Sequence, residues 1–262
     1  METLAVLESA PGRLASVIET AALRNRPGET TREMFIRVSE EAIETPASGA
    51  DTRLGSYCTL RAEWLDRLAV SGNVAVDAMF EIEPFLGWLD WVEADTVRVE
   101  LVGEAAVASE LVITGDDEQV RMACIDDPAL LDSVDTDLPD RFDGDQFLDG
   151  TGTPMPTTVE TTAEQLSRLV AAVDRAESTD GYPLVVRDGS LGIDVEGTEA
   201  HARAALDAPA EGPAVTNNYG QAFAAVVAGL DGAVTLQTGP GEAVAFVRAG
   251  EAFTLRFVVA PV

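Results

Sequence analysis

Apolar residues recur along this chain with two periods, and the two periods alternate in the same order twice. Leu14, Val17, Ile18 and Ala21 stand at i, i+3, i+4 and i+7, one face of a helix, and Pro11 sits in the first turn, where a missing N–H costs nothing. Leu166, Leu169, Val170 and Val173 repeat that spacing behind Thr161 and Thr162, residues of the type that caps helix N-termini. A short alternating strand precedes each of these helices, Thr3-Leu4-Ala5-Val6-Leu7-Glu8 in one case and Thr157-Thr158-Val159-Glu160 in the other. Strand-like segments follow in matched order: 34–38 with 183–187, 42–44 with 191–195, and 56–60 with 201–206. A second helix comes next in each series, around Pro84-Phe85-Leu86-Gly87-Trp88-Leu89 and around residues 220–230. Three strands close each series, 97–102, 108–114 and 119–125 against 233–238, 243–248 and 254–259.

Ordered correspondence on this scale predicts an internal duplication. The expected fold class is α+β, with two tandem pseudo-repeat domains, each with two helices packed on antiparallel sheets. Residues 1–126 form the first domain, 127–152 an interdomain connector and 153–262 the second domain. The connector is rich in Asp and Gly, with little periodicity beyond Leu130, Leu131 and Val134, and reads as a segment running over the surface. It is longer than an ordinary loop, which suits either a binding role or slack between domains.

The 262 residues include 46 acidic and 17 basic side chains, a net charge of -29, and every basic residue is Arg. With 46% apolar residues the chain is not a disordered acidic tail. Self-repulsion on that scale is largely screened in molar salt, where the Debye length is about 3 Å. Acid excess without Lys therefore predicts a cytoplasmic protein of a halophile; a mesophile protein that binds cations or basic partners is the alternative. The N-terminus has no basic n-region, and the longest apolar stretch, residues 223–230, is too short for a bilayer, so neither secretion nor a membrane is expected.

Candidate chemistry is sparse. Cys58 and Cys124 are isolated and read as small core residues, and with a single His they make no zinc set. There is no GxSxG elbow and no P-loop, and Asp143-Gly144-Asp145 lacks the later ligands of a calcium loop. No catalytic residue, metal or cofactor is expected, and the chain is not expected to be an enzyme.

The ends of the two halves carry a resemblance. Met122-Ala123-Cys124-Ile125-Asp126-Asp127-Pro128, followed by residues 134–139, and Phe253-Thr254-Leu255-Arg256-Phe257-Val258-Val259-Ala260-Pro261 close their halves in colinear fashion. With the order of elements over nearly the whole chain, they resemble the sliding clamps of the proliferating cell nuclear antigen (PCNA) family, in its haloarchaeal form. The resemblance implies a head-to-tail homotrimeric ring, with helices lining a hole that admits duplex DNA. Such a ring tethers replication and repair enzymes carrying short clamp-binding peptides, raising their effective concentration, and is opened by a clamp loader.

The resemblance also assigns residues. The DNA-facing positions are Arg13, Arg24, Arg168 and Arg175, with Arg26 just beyond, although ordinary solvated helix positions account for them equally. The helix at 84–92 has no base and carries Asp90, and the helix at 220–230 has no charge. The subunit interface pairs the strand bearing Gln119, Arg121, Ala123 and Ile125 with the neighbour's strand bearing His201, Arg203 and Ala205. His201 is an interface donor or a plain surface residue. The partner groove uses Leu130, Leu131, Ala243, Val258 and Pro261; Leu130 and Leu131 serve equally well to fasten the connector to its own core. The chain departs from the family in ending at Val262 without the usual acidic tail. Trp88 and Trp91, three apart on one helix, are expected to pack in the core rather than to stack on bases. Two functions follow: a DNA sliding clamp, or a clamp-like paralogue that does not close on DNA. The paralogue would act as a monomeric or dimeric binding protein that sequesters clamp clients or clamp subunits.

Overall fold

The computed structural model of the chain describes residues 1–21, 32–48, 54–126, 138–177, 181–197, 200–206 and 208–262. The chain begins with β1 (Glu2–Ser9), α1 (Pro11–Ala21), β2 (Glu33–Val38), β3 (Ala42–Ser48), β4 (Leu54–Arg61), β5 (Arg67–Val70) and β6 (Val76–Glu81). It continues with α2 (Ile82–Trp91), β7 (Val97–Glu104), β8 (Val107–Thr114) and β9 (Gln119–Ala123). A small hairpin, β10 (Phe142–Asp143) and β11 (Gln146–Phe147), lies between the halves. The second half runs β12 (Thr157–Thr162), α3 (Ala163–Ala176), β13 (Tyr182–Arg187), β14 (Ser190–Glu196), β15 (His201–Leu206) and β16 (Ala210–Glu211). It ends with β17 (Val215–Tyr219), α4 (Gln221–Gly229), β18 (Ala233–Thr238), β19 (Val244–Ala249) and β20 (Phe253–Val259).

The two halves pair alike. β1 lies between β5 and β7, as β12 lies between β16 and β18. The ladder β7–β8–β9 corresponds to β18–β19–β20, and β6–β2–β3–β4 corresponds to β17–β13–β14–β15. This is the expected α+β pseudo-repeat. The halves meet where β20 pairs antiparallel with β4, from Phe253 opposite Leu60 to Val259 opposite Leu54.

The helices form where the 3.6-residue period places them, and each buries the stripe that the period defines. α1 buries Leu14, Val17, Ile18 and Ala21, and α3 buries Leu166, Leu169, Val173 and the small residues Ala163 and Ala176. α2 buries Ile82, Phe85 and Leu89, while α4 buries Phe223, Val226 and Val227. α3 starts in a capping box: Gln165 N donates to Thr162 Oγ1 at 3.2 Å, and Thr162 N donates to Gln165 Oε1 at 3.2 Å. Such a cap contributes about 1 kcal/mol.

Several strands have no counterpart in the sequence pattern: β5, β6, β16, β17 and the hairpin. β17 reads Val-Thr-Asn-Asn-Tyr, a polar stretch of low strand propensity. Asn217 is nevertheless buried there, because its amide donates to Gly239 O at 2.8 Å and its Oδ1 accepts from Gly241 N at 2.8 Å. Tertiary hydrogen bonds override the local preference.

The segment expected to be a featureless connector contributes a second small core. Leu138, Phe147 and Met155 bury against Tyr57, Ala245 and Val258, on the outward face of the β4–β20 junction. Gly55 permits that approach, since a Cβ there would stand 2.9 Å from Leu138 Cδ2. Gln237 fastens the hairpin from both sides: its Nε2 donates to Asp145 O at 2.6 Å and its Oε1 accepts from Phe147 N at 2.6 Å. Arg256 reaches outward from β20, with its guanidinium over the Tyr57 and Phe142 rings at 5.4 and 5.5 Å and Nη2 donating to Asp145 Oδ1 at 2.7 Å. Phe147 is fully buried, so Phe147→Ala is expected to destabilise the fold by about 3–5 kcal/mol. Denaturant midpoints in molar KCl test this; a loss under about 1 kcal/mol would mean that the hairpin does not belong to the cooperative core.

Candidate functional site

The four helices pack their apolar stripes inward, and α1, α2 and α3 carry charged side chains on their other faces. These helices hold five carboxylates, Glu19, Glu83, Asp90, Glu164 and Asp174, against three guanidiniums, Arg13, Arg168 and Arg175. Arg13 is engaged elsewhere: its guanidinium donates to the Trp64 carbonyl and lies 3.9 Å from Asp66 Oδ1. Arg168 and Arg175 are exposed on α3, with no ion pair holding them among the described residues. Arg24 and Arg26 lie outside the described residues.

Trp88 and Trp91 correct the expectation of core packing. They are 38% and 52% exposed, in an edge-to-face pair with centroids 5.6 Å apart. The helical phase explains this: Ile82, Phe85 and Leu89 take the buried stripe of α2, Trp88 falls on the flank of that stripe, and Trp91 falls on the far side with Gly87.

Among the strand edges left open, two occupy matching places in the halves. β9 pairs only with β8, and β15 only with β14, among the described residues. On each edge the side chains alternate. Gln119, Arg121 and Ala123 are exposed while Val120 and Met122 pack on the core; His201, Arg203 and Ala205 are exposed while Ala202 and Ala204 pack on the core. Ile125, expected on the first edge, lies past the end of β9, and its N–H donates to Met79 O at 2.7 Å. Charges on both edges are compensated from within the chain. Arg121 Nη1 donates to Glu110 Oε2 at 2.6 Å. His201 Nε2 lies 2.8 Å from Asp194 Oδ1, and Arg203 Nε lies 3.9 Å from Asp194 Oδ2. The His201 hydrogen bond, aided by the positive charges of Arg203 and Arg187, holds the Asp194 carboxyl below its ordinary pKa.

Of the expected groove residues, Leu130 and Leu131 lie outside the described residues. Val258 is buried beneath Leu138 and Phe147 of the connector and Met155 just after it, with Ala243 half-buried beside the same cluster. Pro261 is half-buried and bridges to Tyr219. The surface expected to form this part of a groove is thus covered by the chain itself, which the Asp- and Gly-rich composition of the connector did not suggest.

Nucleophiles are muted. Burial pushes the Cys58 and Cys124 thiols up to about 12, so both are protonated at neutral pH. Among the described residues no cluster of His, Cys, Asp and Glu is placed to hold a metal ion, and no helix is long and apolar enough to cross a membrane.

A pseudo-repeat in which each half packs a helix pair on mainly antiparallel sheets, with two matched edges open, is a clamp-like class of architecture. Solved structures agree over the whole chain. PCNA from Thermococcus kodakaraensis superposes with a TM-score of 0.71 at 17% identity, covering 98% of this chain and 100% of that one. PCNA from Entamoeba histolytica gives 0.71 at 11% identity, covering 99% of each. A. fulgidus PCNA bound to the C-terminal region of FEN-1 gives 0.67 at 13% identity, covering 99% of this chain and 98% of that one. The fold is a PCNA-like sliding-clamp fold in a divergent sequence. No family model and no curated protein matches the chain.

The Asp194 geometry is testable. Because its folded pKa is depressed, this carboxylate contributes stability above its unfolded pKa, and the contribution is lost as pH falls through the folded value. His201→Ala is expected to raise the Asp194 pKa toward the ordinary carboxylate value in a carboxyl-detected NMR titration. An unmoved titration would show that the hydrogen bond does not form in solution.

Proposed function

We propose that this chain is a DNA sliding clamp, closing head to tail into a homotrimeric ring around duplex DNA and tethering replication and repair enzymes to it. Residues 1–126 and 153–262 act as its two domains, joined by 127–152. The observation that carries the reading is the β20–β4 seam. β9 is the pseudo-repeat counterpart of β20, and β15 that of β4, and both of these edges are open. Repeating the seam between copies would pair both of these edges and close a ring, the outcome of a heterologous contact whose rotation closes.

The internal seam also sets a register. Phe257 stands opposite Ser56, and their counterparts are Val120 and Ala202, so Val120 of one copy faces Ala202 of the next. Arg121 then faces His201, and Gln119 faces Arg203. Val120, Met122, Ala202 and Ala204 form one apolar row on the inner side. The A. fulgidus clamp with its bound FEN-1 segment supports client enzymes as partners, and the clamp loader is a partner by the same analogy.

The helix charges favour a second reading. Five carboxylates against three guanidiniums, one of them already engaged, is a poor match for phosphate. A clamp-like protein that does not close on DNA, and instead sequesters clients or clamp subunits, is consistent with that face. On the first reading, DNA is retained by ring closure rather than by phosphate attraction, which molar salt weakens steeply.

Light scattering in roughly 2–3 M KCl, where the acidic surface is screened, decides between them. A concentration-stable trimer is expected, and a monomer at high protein concentration would overturn the clamp reading. If α3 faces DNA, Arg168→Glu with Arg175→Glu lowers retention on a circular duplex while the trimer persists. Unchanged retention would remove those two residues from the DNA-facing surface.

A further inference from the structure

We infer that the exposed Trp88–Trp91 pair is the aromatic anchor of the contact between copies of this chain, docking at the β9–β15 seam against α3 of the neighbour. The inference rests on the ring reading above and goes beyond it in naming the side chains that hold the ring shut.

The internal seam supplies the template. There α4 packs against β20 and α1 packs against β4. At an open seam the corresponding parts are α2 behind β9 in one copy and α3 behind β15 in the next; α3 packs against β15 within the chain. The C-cap of α2 already abuts the approach to β9, since a Cβ on Gly115 would stand 2.3 Å from Val92 Cγ1.

Position by position, the open seam lacks the cover that the internal seam has. The buried residues Phe85, Leu89 and Val92 share their spacing with Phe223, Val227 and Leu230, which places Trp88 at the position of Val226. Val226 is 3% exposed, whereas Trp88 is 38% exposed. Across the seam, Leu14 and Val17 of α1 match Leu166 and Leu169 of α3, which places Val170 at the position of Ile18. Ile18 is buried, and Val170 is only half-buried. The counterparts therefore lose cover on both sides of the edge that has no partner.

Side-chain volumes are exchanged in the sense that one contact requires. At the internal seam the strand contributes the large Phe257 and the helix the smaller Val226. At the open seam the strand contributes the small Val120, facing Ala202 and Ala204, and the helix contributes tryptophan. A pocket floored by Val and Ala with an indole over it conserves volume, and Trp is the residue most enriched among interface anchors. Such a contact depends on apolar burial, which salt does not screen, and so suits a chain whose charges repel.

Sedimentation and light scattering in molar KCl of three proteins test the inference: the wild type, Trp88→Glu with Trp91→Glu, and Arg121→Pro, which removes an N–H that faces away from β8 at the open edge. Both tryptophans are exposed in the single chain, so the double variant is expected to keep the wild-type circular dichroism and melting of a monomer. The wild type is expected to be trimeric, with tryptophan emission shifting to the red on dilution to monomer. Both variants are expected to be monomeric where the wild type is trimeric, with association weakened at least ~100-fold. A double variant that stays trimeric while Arg121→Pro dissociates would overturn the tryptophan assignment and leave the ring standing. Emission that responds to duplex DNA but not to assembly would overturn it in favour of a DNA contact. A trimer that survives Arg121→Pro would place the tryptophans at some other seam and overturn the inference. A monomeric wild type would remove the ring reading itself.

Discussion

The structure depends on one antiparallel ladder between residues about 200 positions apart, β20 on β4. Closing so long a loop costs conformational entropy that grows only slowly with length, and the seven pairs from Phe253–Leu60 to Val259–Leu54 return it through burial. β20 is consequently covered on both faces. Leu255, Phe257 and Val259 join the main core, while Arg256 and Val258 lie beneath the connector hairpin. Without that ladder the fourteen-stranded sheet would fall into two, and the hairpin would lose its floor. The same geometry that joins the halves leaves β9 and β15 as two edges of matching kind.

Charge bears on function through placement more than through total. Most arginines near the sheet are tied to carboxylates: Arg98 to Glu8 and Glu100, Arg37 to Asp77, Arg121 to Glu110, Arg256 to Asp145. Exposed pairs of this kind add little stability. They do withdraw guanidiniums from phosphate, and the helix face is left with more carboxylates than cations. On the clamp reading, the ring retains DNA by topology, and the strength of the seam rather than the affinity for phosphate sets how long it stays. On the paralogue reading, the same face simply has no DNA to meet.

Much of the fold was legible because its helices and the principal strands obey the periods that burial imposes. The stripes Leu14-Val17-Ile18 and Leu166-Leu169-Val170 appear in the chain as in the fold, although Val170 itself is only half-buried. What escaped was what tertiary contact decides. Asn217 makes a strand because Gly239 and Gly241 answer its amide, and no window of sequence contains all three. The hairpin escaped because Phe142 and Phe147 stand among Asp and Gly, and their burial depends on Arg256, Gln237 and Tyr57 far along the chain. Ile125 was misplaced by a strand boundary, since Met79 takes its N–H and ends β9 at Ala123. The tryptophans were misread because aromatic residues three apart imply a shared face but do not say which face. That choice belongs to Phe85 and Leu89, whose spacing outcompetes them for the core.

The connector hairpin sharpens what client binding would require. A client that anchored on the surface of Val258 and Ala245 would have to displace Phe147 and Leu138, which are fully and almost fully buried there. The free energy of lifting that cover is subtracted from whatever the client's anchors gain, so apparent affinity falls by the fraction of molecules in the open state. Gln237 and Arg256 hold the cover by hydrogen bonds to backbone as well as by burial, so the open state is disfavoured by two independent kinds of contact. Clients on the clamp reading therefore either bind weakly at this surface or use the stretch that contains Leu130 and Leu131. In either case the tethering of partners is limited by the chain's own connector, and closure of the ring is limited by the seam. Two separate apolar contacts thus govern the two halves of the proposed function.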